Sequence, residues 1–185
     1  MDCFDGIQGV FGYSENISRA IIHEKLNKIF AYDKGSKSYT FKNVTARAAG
    51  NWGSDEGIRG VYVSADNWSD LDDFISVMNK LVGSLPSSAE LKAVTVKTKV
   101  PLTEPRTFSA KLDDCGERVV HHIRSINGYI DCEDNSYMYE LLSTSKGLSV
   151  SLTDIIEDEI TLGSIASLAG LCKNTLLSHI EVDQK

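Results

Sequence analysis

The sequence contains little proline, cysteine or tryptophan: three Pro, four Cys and two Trp in 185 residues. Collagen-like and low-complexity chains are therefore excluded, since both depend on a strongly biased composition. The four cysteines, Cys3, Cys115, Cys132 and Cys172, include no Cys-x-x-Cys pair, so neither a dense disulfide framework nor a common zinc motif is indicated. We expect them to be free and partly buried thiols in a reducing compartment.

Long hydrophobic runs are also missing. No apolar stretch approaches the roughly 18 residues that a membrane-spanning helix needs. Asp2 and Asp5 occupy positions where a signal peptide would carry Lys or Arg, and no apolar segment follows them. These features predict a cytoplasmic protein without a membrane partner.

Acidic residues outnumber basic ones, 26 to 19, which gives a net charge of −7. Residues 1–99 carry twelve charges of each sign, and residues 100–124 carry four of each. Residues 125–185 carry three basic and ten acidic residues, so this segment accounts for the whole excess. A surface of this sign repels phosphate backbones and attracts basic partners, which disfavours nucleic acid and favours a basic protein.

Hydrophobic periodicity predicts several elements in the first half of the chain. A helix is expected from Ser14 to Lys28, after a loop that contains Gly6, Gly9 and Gly12. Strands are then expected at Ile29–Tyr32 and Ser38–Val44, joined by a turn in which Gly35 supplies a positive φ. The apolar stripe of residues 69–82 predicts a helix that begins with a capping box at Ser69 and Asp72, and residues 91–100 alternate as in a strand.

The second half of the chain is predicted to contain a strand at Arg106–Leu112 and a helix at Asp114–Ile126. A hairpin is expected from Tyr137–Leu142 and Leu148–Leu152, followed by a helical tail over residues 154–181. Helices and hairpins in mixed order favour an α+β fold. We expect a single domain in which an antiparallel or mixed sheet with hairpins packs against three to five helices. Residues 1–152 would form the core, and residues 153–185 a helical C-terminal segment packed on that core.

Residues 160–181 resemble the helix-turn-helix of bacterial transcription regulators. Ala166 lies where the first helix needs a small residue, Gly170 lies at the turn, and the apolar positions that hold the two helices together are Leu171, Leu176 and Ile180. The resemblance implies DNA binding through Lys173, Asn174, Thr175, Ser178 and His179. The alternative is an amphipathic helical hairpin that closes the core.

Few residues suggest catalysis. Cys115 and His122 lie two turns apart on one predicted helix, about 10 Å at 1.5 Å per residue, which is too far for a thiolate–imidazole pair. Cys132 could join Cys115, His121 and His122 as a metal ligand, but the spacing is not a recurring zinc pattern. No cofactor motif or other metal motif is present, so the sequence favours a protein that is not an enzyme, while an enzyme with an unrecognised site stays open.

The chain is similar in general character to small acidic immunity proteins, which neutralise bacterial toxins. This character implies a stoichiometric inhibitor that captures a basic partner, such as a nuclease toxin, by electrostatic attraction and covers its active site. The residues expected to bind the partner are Asp131, Glu133, Asp134, Tyr137, Tyr139, Glu140, Asp154, Glu157, Asp158 and Glu159. The alternatives are the DNA-binding regulator and the unrecognised enzyme.

Overall fold

The computed structural model describes residues 3–50, 57–86, 89–101, 125–132, 135–144, 147–155 and 160–181. The strands are β1 (Phe4–Ile17), β2 (Ala31–Asp33), β3 (Ser38–Phe41), β4 (Val44–Ala49), β5 (Ile58–Ala65), β6 (Ala89–Val100), β7 (Ser125–Cys132), β8 (Asn135–Thr144) and β9 (Gly147–Ile155). The helices are α1 (Arg19–Asn27), α2 (Leu71–Ser84) and α3 (Leu162–Glu181), and a 3₁₀ turn at Trp68–Asp70 precedes α2. None of the helices in these ranges is long and apolar enough to cross a membrane.

A single nine-stranded sheet dominates the molecule, with the strand order β2-β3-β4-β5-β1-β6-β9-β8-β7. Every neighbouring pair is antiparallel. Strands make up 53% of the described residues, among which there are three helices, one of them short. The expectation of a sheet packed against three to five helices is therefore wrong. Part of the reason is that sequence assigned to helices, at residues 14–17 and 125–126, belongs to strands.

The three helices cover one side of the sheet, which we call the helix face. Ile22 of α1, Met78 of α2 and Leu168 of α3 belong to one hydrophobic cluster with the inward residues of the strands. Strand β6 shows the alternation that the sequence predicted: Val94, Val96 and Thr98 are buried on this face, while Lys97 and Lys99 lie on the other side.

Strand β1 replaces the predicted N-terminal loop and the start of the predicted first helix. Helix α1 begins only at Arg19, so the helix expected from Ser14 is about one turn too long. Gly9 lies in β1 directly under α2, and a Cβ atom built on it would overlap the thioether end of Met78. The glycines of this segment suggested a loop, but Gly9 is there because the helix crosses the strand closely.

Both predicted hairpins are present, although the strand expected at Ser38–Val44 ends at Phe41, and Val44 already belongs to the next strand. Asp33, at the first turn, accepts hydrogen bonds from the backbone N–H of Gly35 at 2.9 Å and from the hydroxyl of Ser36 at 2.6 Å. The positive φ of this turn falls on Lys37, at 52°, and not on Gly35. The second hairpin joins β8 and β9 through a pairing that ends at Thr144 and Gly147.

Helix α2 confirms the strongest helix prediction, although its start differs from the predicted capping box. The N-cap residue is Asp70, whose side chain makes no hydrogen bond to the helix's own N–H groups. The carboxylate of Asp70 instead accepts hydrogen bonds from the side-chain amides of Asn43 and Asn67, at 3.0 and 3.1 Å. These hydrogen bonds lower the pKa of Asp70 and tie the start of α2 to the β3–β4 turn.

Among the described residues of the tail, the helix begins at Leu162. Asp154 and Ile155, predicted to begin the helical tail, are the last residues of β9. The side-chain amide of Asn79 in α2 bonds both backbone groups of Ile160, donating to its carbonyl at 2.9 Å and accepting from its N–H at 3.1 Å. Helix α3 then packs across β6 and β9 and touches α2, with the buried thiol of Cys172 donating to the carbonyl of Val150 at 3.2 Å.

Two of the predicted free thiols are confirmed, Cys3 and the buried Cys172. Burial raises the pKa of the Cys172 thiol, which disfavours the reactive thiolate. The strand predicted at residues 106–112 and most of the helix predicted at residues 114–126 lie outside the described residues. Ser125 and Ile126, the end of that predicted helix, belong to β7.

Candidate binding surface on the open face of the sheet

The side of the sheet opposite the helices, which we call the open face, carries a continuous row of polar side chains. Strand register places Gln8 of β1 between Ser64 of β5 and Thr95 of β6. The row continues through Thr153 of β9, and then reaches Met138 and Tyr129. At about 4.8 Å per strand, this row of six residues spans about 24 Å.

The open face forms a groove of about 780 Å³ along this row. Its neutral polar lining consists of Gln8, Ser64, Thr95, Asn127, Ser151 and Thr153. The charged lining residues are Asp66, Glu140 and Lys97, and the Lys97 ammonium lies 3.6 Å from the carboxylate of Asp5. Counting Asp5, the groove and its rim therefore carry three carboxylates and one ammonium, so the groove favours a cationic ligand group.

Hydrogen bonds between neighbouring strands order parts of this row. The hydroxyls of Thr95 and Thr153 lie 2.7 Å apart, and those of Thr45 and Ser64 lie 2.9 Å apart. Each hydroxyl has one proton to donate and two acceptor lone pairs, so these pairs retain capacity to bond a ligand. Ordered hydroxyls on rigid strands lose little entropy on binding, which suits them to contact another molecule.

Tyr129 and Met138 form the most exposed apolar feature of the described sheet. They lie directly opposite each other on β7 and β8, and their exposed fractions are 73% and 51%. The neighbouring cross-strand pairs on the same face are Asn127 with Glu140 and Asp131 with Ser136. An exposed aromatic–thioether pair bordered by two carboxylates is typical of a protein contact, where aromatic residues and Met are enriched.

The predicted partner-binding residues do not form one surface. Asp131 and Glu140 are exposed on the open face beside Tyr129. Tyr137 and Tyr139 are half-buried on the helix face, where they pack against the hydrophobic cluster. Asp154 lies on that face too, and the remaining predicted residues, Glu133, Asp134, Glu157, Asp158 and Glu159, lie outside the described residues.

Burial changes the acid–base properties of the residues on the helix face. It raises the pKa of Tyr139 to about 12, with a further contribution from the nearby Cys172 thiol. Burial also raises the pKa of the Asp154 carboxyl. Both side chains are half-buried, so neither is the exposed contact that the sequence predicted.

The helix-turn-helix prediction is wrong, because α3 is one continuous helix of 20 residues. The turn expected at Gly170 is absent, and Gly170 lies inside the helix. Its inward residues are Ile165, Leu168, Ala169, Cys172 and Leu176, which lie on the core. Of the DNA-contacting residues implied by the resemblance, Asn174 is exposed, Lys173 and Thr175 are half-buried, and the side chains of Ser178 and His179 lie outside the described residues.

Replacing Gly170 with alanine distinguishes a continuous helix from a helix-turn-helix in the tail. A Cβ atom at Gly170 meets nothing within 4 Å, so Gly170→Ala should raise the free energy of unfolding by about 0.8 kcal/mol through helix propensity. At the positive-φ turn of a helix-turn-helix, the same change would lower it by about 1 kcal/mol. Urea denaturation followed by circular dichroism measures the sign, and a loss of stability would contradict the continuous helix.

Metal binding finds no support in the part of the chain that the structure describes, where no three His, Cys, Asp or Glu residues are grouped to hold an ion. The set that the sequence analysis considered, Cys115, His121 and His122 with Cys132, cannot be placed together. The first three lie outside the described residues, and only the backbone of Cys132 is described.

Sequence reasoning missed the residues that dominate the open face: Gln8, Thr95, Tyr129, Met138 and Thr153. A signal was present in β7, where Asn127, Tyr129 and Asp131 alternate with Ile126 and Ile130. The pair Asn127–Gly128 instead suggested the end of a helix. In β1, the glycines concealed a similar alternation.

Comparisons of the chain with protein-family models, with curated proteins and with solved structures found no match in any of the three.

Proposed function

We propose that this protein is a protein-binding inhibitor of the immunity-protein type, which captures a basic partner on the open face of its sheet. The observation that carries the proposal is the exposed Tyr129–Met138 pair with Glu140 and Asp131 beside it. The proposal places the protein in the cytoplasm, with a basic protein such as a nuclease toxin as its partner and no nucleic acid or cofactor.

Tyr129 and Met138 are the apolar side chains that would lose their water on binding and bury their surface against the partner. A tyrosine buries a large area at a small cost in side-chain entropy, because it has only two side-chain torsions. Met138 beside it is flexible and polarisable, and can adapt to the shape of a partner. Such central anchors account for most of the binding energy in measured interfaces.

The carboxylates supply steering and orientation. Asp131 and Glu140 flank the anchors along the strands, and Asp66 lies across the groove from them. Lysine and arginine side chains of a partner would approach this field faster at low salt and more slowly at high salt. If the partner binds nucleic acid, the carboxylates occupy the place of substrate phosphates, and the bound inhibitor covers its active site.

A pull-down from a lysate of the native host, with partners identified by mass spectrometry, tests the proposal. The wild-type chain should retain a basic protein, and Met138→Ala or Tyr129→Ala should weaken its binding by about tenfold or more. Raising the salt concentration should weaken retention by the wild type, and the double charge reversal Asp131→Lys, Glu140→Lys should abolish retention even at low salt. Calorimetric titration with the purified partner then gives the affinities.

Matched controls distinguish a specific surface from general damage. Ile21 of α1 is exposed at 46% and is apolar like Met138, so Ile21→Ala should bind normally. Asp72 of α2 is an exposed carboxylate on the helix side, so Asp72→Lys should also bind normally. Equal losses in the control and test variants, or binding that is indifferent to all of them, would refute the proposed surface.

A further inference from the structure

The two edges of the sheet differ in how well they are protected against pairing with another strand. Strand β2 is three residues long and runs into a turn with Asp33, Lys34 and Lys37. Strand β7, the other edge of the described sheet, is eight residues long. Natural edge strands are usually short, charged or interrupted by proline, because an unpaired strand edge is a template for another chain.

Strand β7 has almost none of these protections. Its sequence, Ser-Ile-Asn-Gly-Tyr-Ile-Asp-Cys, has no Lys and no Pro, and its one charged residue is Asp131. Five of its residues from Ser125 to Asp131 are exposed, and the other two, Ile126 and Ile130, are half-buried. A long, exposed and nearly uncharged edge strand favours strand addition.

The geometry points to a second copy of this chain as the added strand, so that two β7 strands pair antiparallel about a two-fold axis and the two sheets become continuous. Such an interface is isologous, and each residue must therefore meet a residue on the same face of the other copy. Only registers centred on a residue of β7 satisfy this condition.

Centring the axis on Tyr129 gives a register with complementary pairs on both faces. The two Tyr129 rings then face each other on the open face, where aromatic cross-strand pairs are favourable. On either side, the amide of Asn127 lies opposite the carboxylate of Asp131 in the other copy, so no like charges meet. On the helix face, Ile130 lies opposite Gly128 and fills the space that the glycine leaves. An axis on Gly128 would instead place two glycines at the centre.

The dimer would extend the candidate binding surface. Tyr129 and Asn127 line the groove, so the axis would place the open faces of the two copies side by side and give two adjacent sites for a partner. The interface consists of one strand pair, which is small for a stable complex, and we expect a concentration-dependent equilibrium between monomer and dimer. This inference is independent of the proposed inhibitor function.

Sedimentation equilibrium of the full chain over a dilution series tests the dimer. The wild-type mass should rise from 20.3 kDa towards twice that value as concentration increases. Tyr129→Lys places two ammonium groups opposite each other at the axis and should leave only monomer. Met138→Lys makes the same change one strand in from the edge, and its dimerisation should match wild type.

A charge exchange tests the register. Asn127→Asp creates two like-charge pairs with Asp131 and should weaken dimerisation by about tenfold. Adding Asp131→Asn restores a carboxylate–amide pair and should restore the dimer. The single and the double variant both carry the Asn127→Asp carboxylate, which lies opposite Glu140 of the same chain. Any loss of monomer stability from that contact is therefore the same in both variants, and a recovered dimer reports the pairing between copies.

A wild-type chain that stays monomeric at sub-millimolar concentration would overturn the proposal. Equal dimerisation of Tyr129→Lys and Met138→Lys would overturn it too, and failure of the double variant to regain the dimer would overturn the register. Because Met138 lies away from the edge, the Met138→Ala pull-down reports on partner capture alone. The two proposals can therefore fail separately.

Discussion

Replacing Gly147 with alanine is expected to lower the free energy of unfolding by about 3 kcal/mol. Gly147 has a φ of +132°, a conformation that side chains rarely adopt. A Cβ atom built there would also overlap the carbonyl oxygen of Val100, the last residue of β6. That oxygen belongs to the backbone of a paired strand, so the overlap can be relieved only by moving the β6–β9 pairing.

Chemical denaturation of Gly147→Ala and wild type measures this effect. Gly83→Ala is the control, because Gly83 lies in α2 and a Cβ atom there meets nothing within 4 Å. That variant should gain about 0.8 kcal/mol from helix propensity. If Gly147→Ala were as stable as wild type, the close contact between Gly147 of β9 and the carbonyl of Val100 in β6 would be contradicted.

Gly9→Ala is expected to lower the free energy of unfolding by about 2 kcal/mol, for a different reason. The backbone of Gly9 is ordinary strand, but its Cβ position is occupied by Sδ and Cε of Met78, with Cζ of Phe74 at 3.4 Å. Met78 is fully buried, so a shift of its thioether end disturbs the packing around it, and overpacking of this kind costs about 1–3 kcal/mol.

A double-mutant cycle isolates this contact. Gly9→Ala, Met78→Ala and the double variant are compared by urea denaturation, and the double variant should be more stable than the sum of the single losses predicts. Gly128→Ala in β7 is the matched control, because that strand glycine has open space at its Cβ position and should tolerate the change. Additive losses in the cycle would show that Met78 is not what excludes a side chain at Gly9.

The parts of the fold that could be predicted from the sequence are those that local rules decide. The apolar stripe of α2 repeats at helical spacing from Leu71 to Leu81, and the structure buries those residues. The alternation of Val94, Val96 and Thr98 with Lys97 and Lys99 set both the strand and its two faces. The two hairpins followed from turn residues between runs of strand formers.

The candidate site could not be predicted in the same way, because its residues come from six strands that are distant in the chain. Gln8 meets Thr95 and Ser64 only through the order β5-β1-β6, and no local pattern specifies that order. Charge located two of its members, Asp131 and Glu140. The same criterion also selected Asp154, which β9 turns towards the helix face, and so charge alone could not separate the two faces.

The sequence by itself determined the acidic excess of residues 125–185, the alternation of β6, the helix α2 and the two hairpins. Each of these depends on side chains that are close in the chain. Tertiary structure decided three other features: that β1 is a strand despite its glycines, that α3 continues through Gly170, and that the described helices all lie on one side of the sheet. The physical reason is common to all three. Each depends on packing between segments that are distant in the chain, and such packing overrides local preference. The contacts concerned are the close helix crossing at Gly9, the core against one side of α3, and the three described helices on a single face.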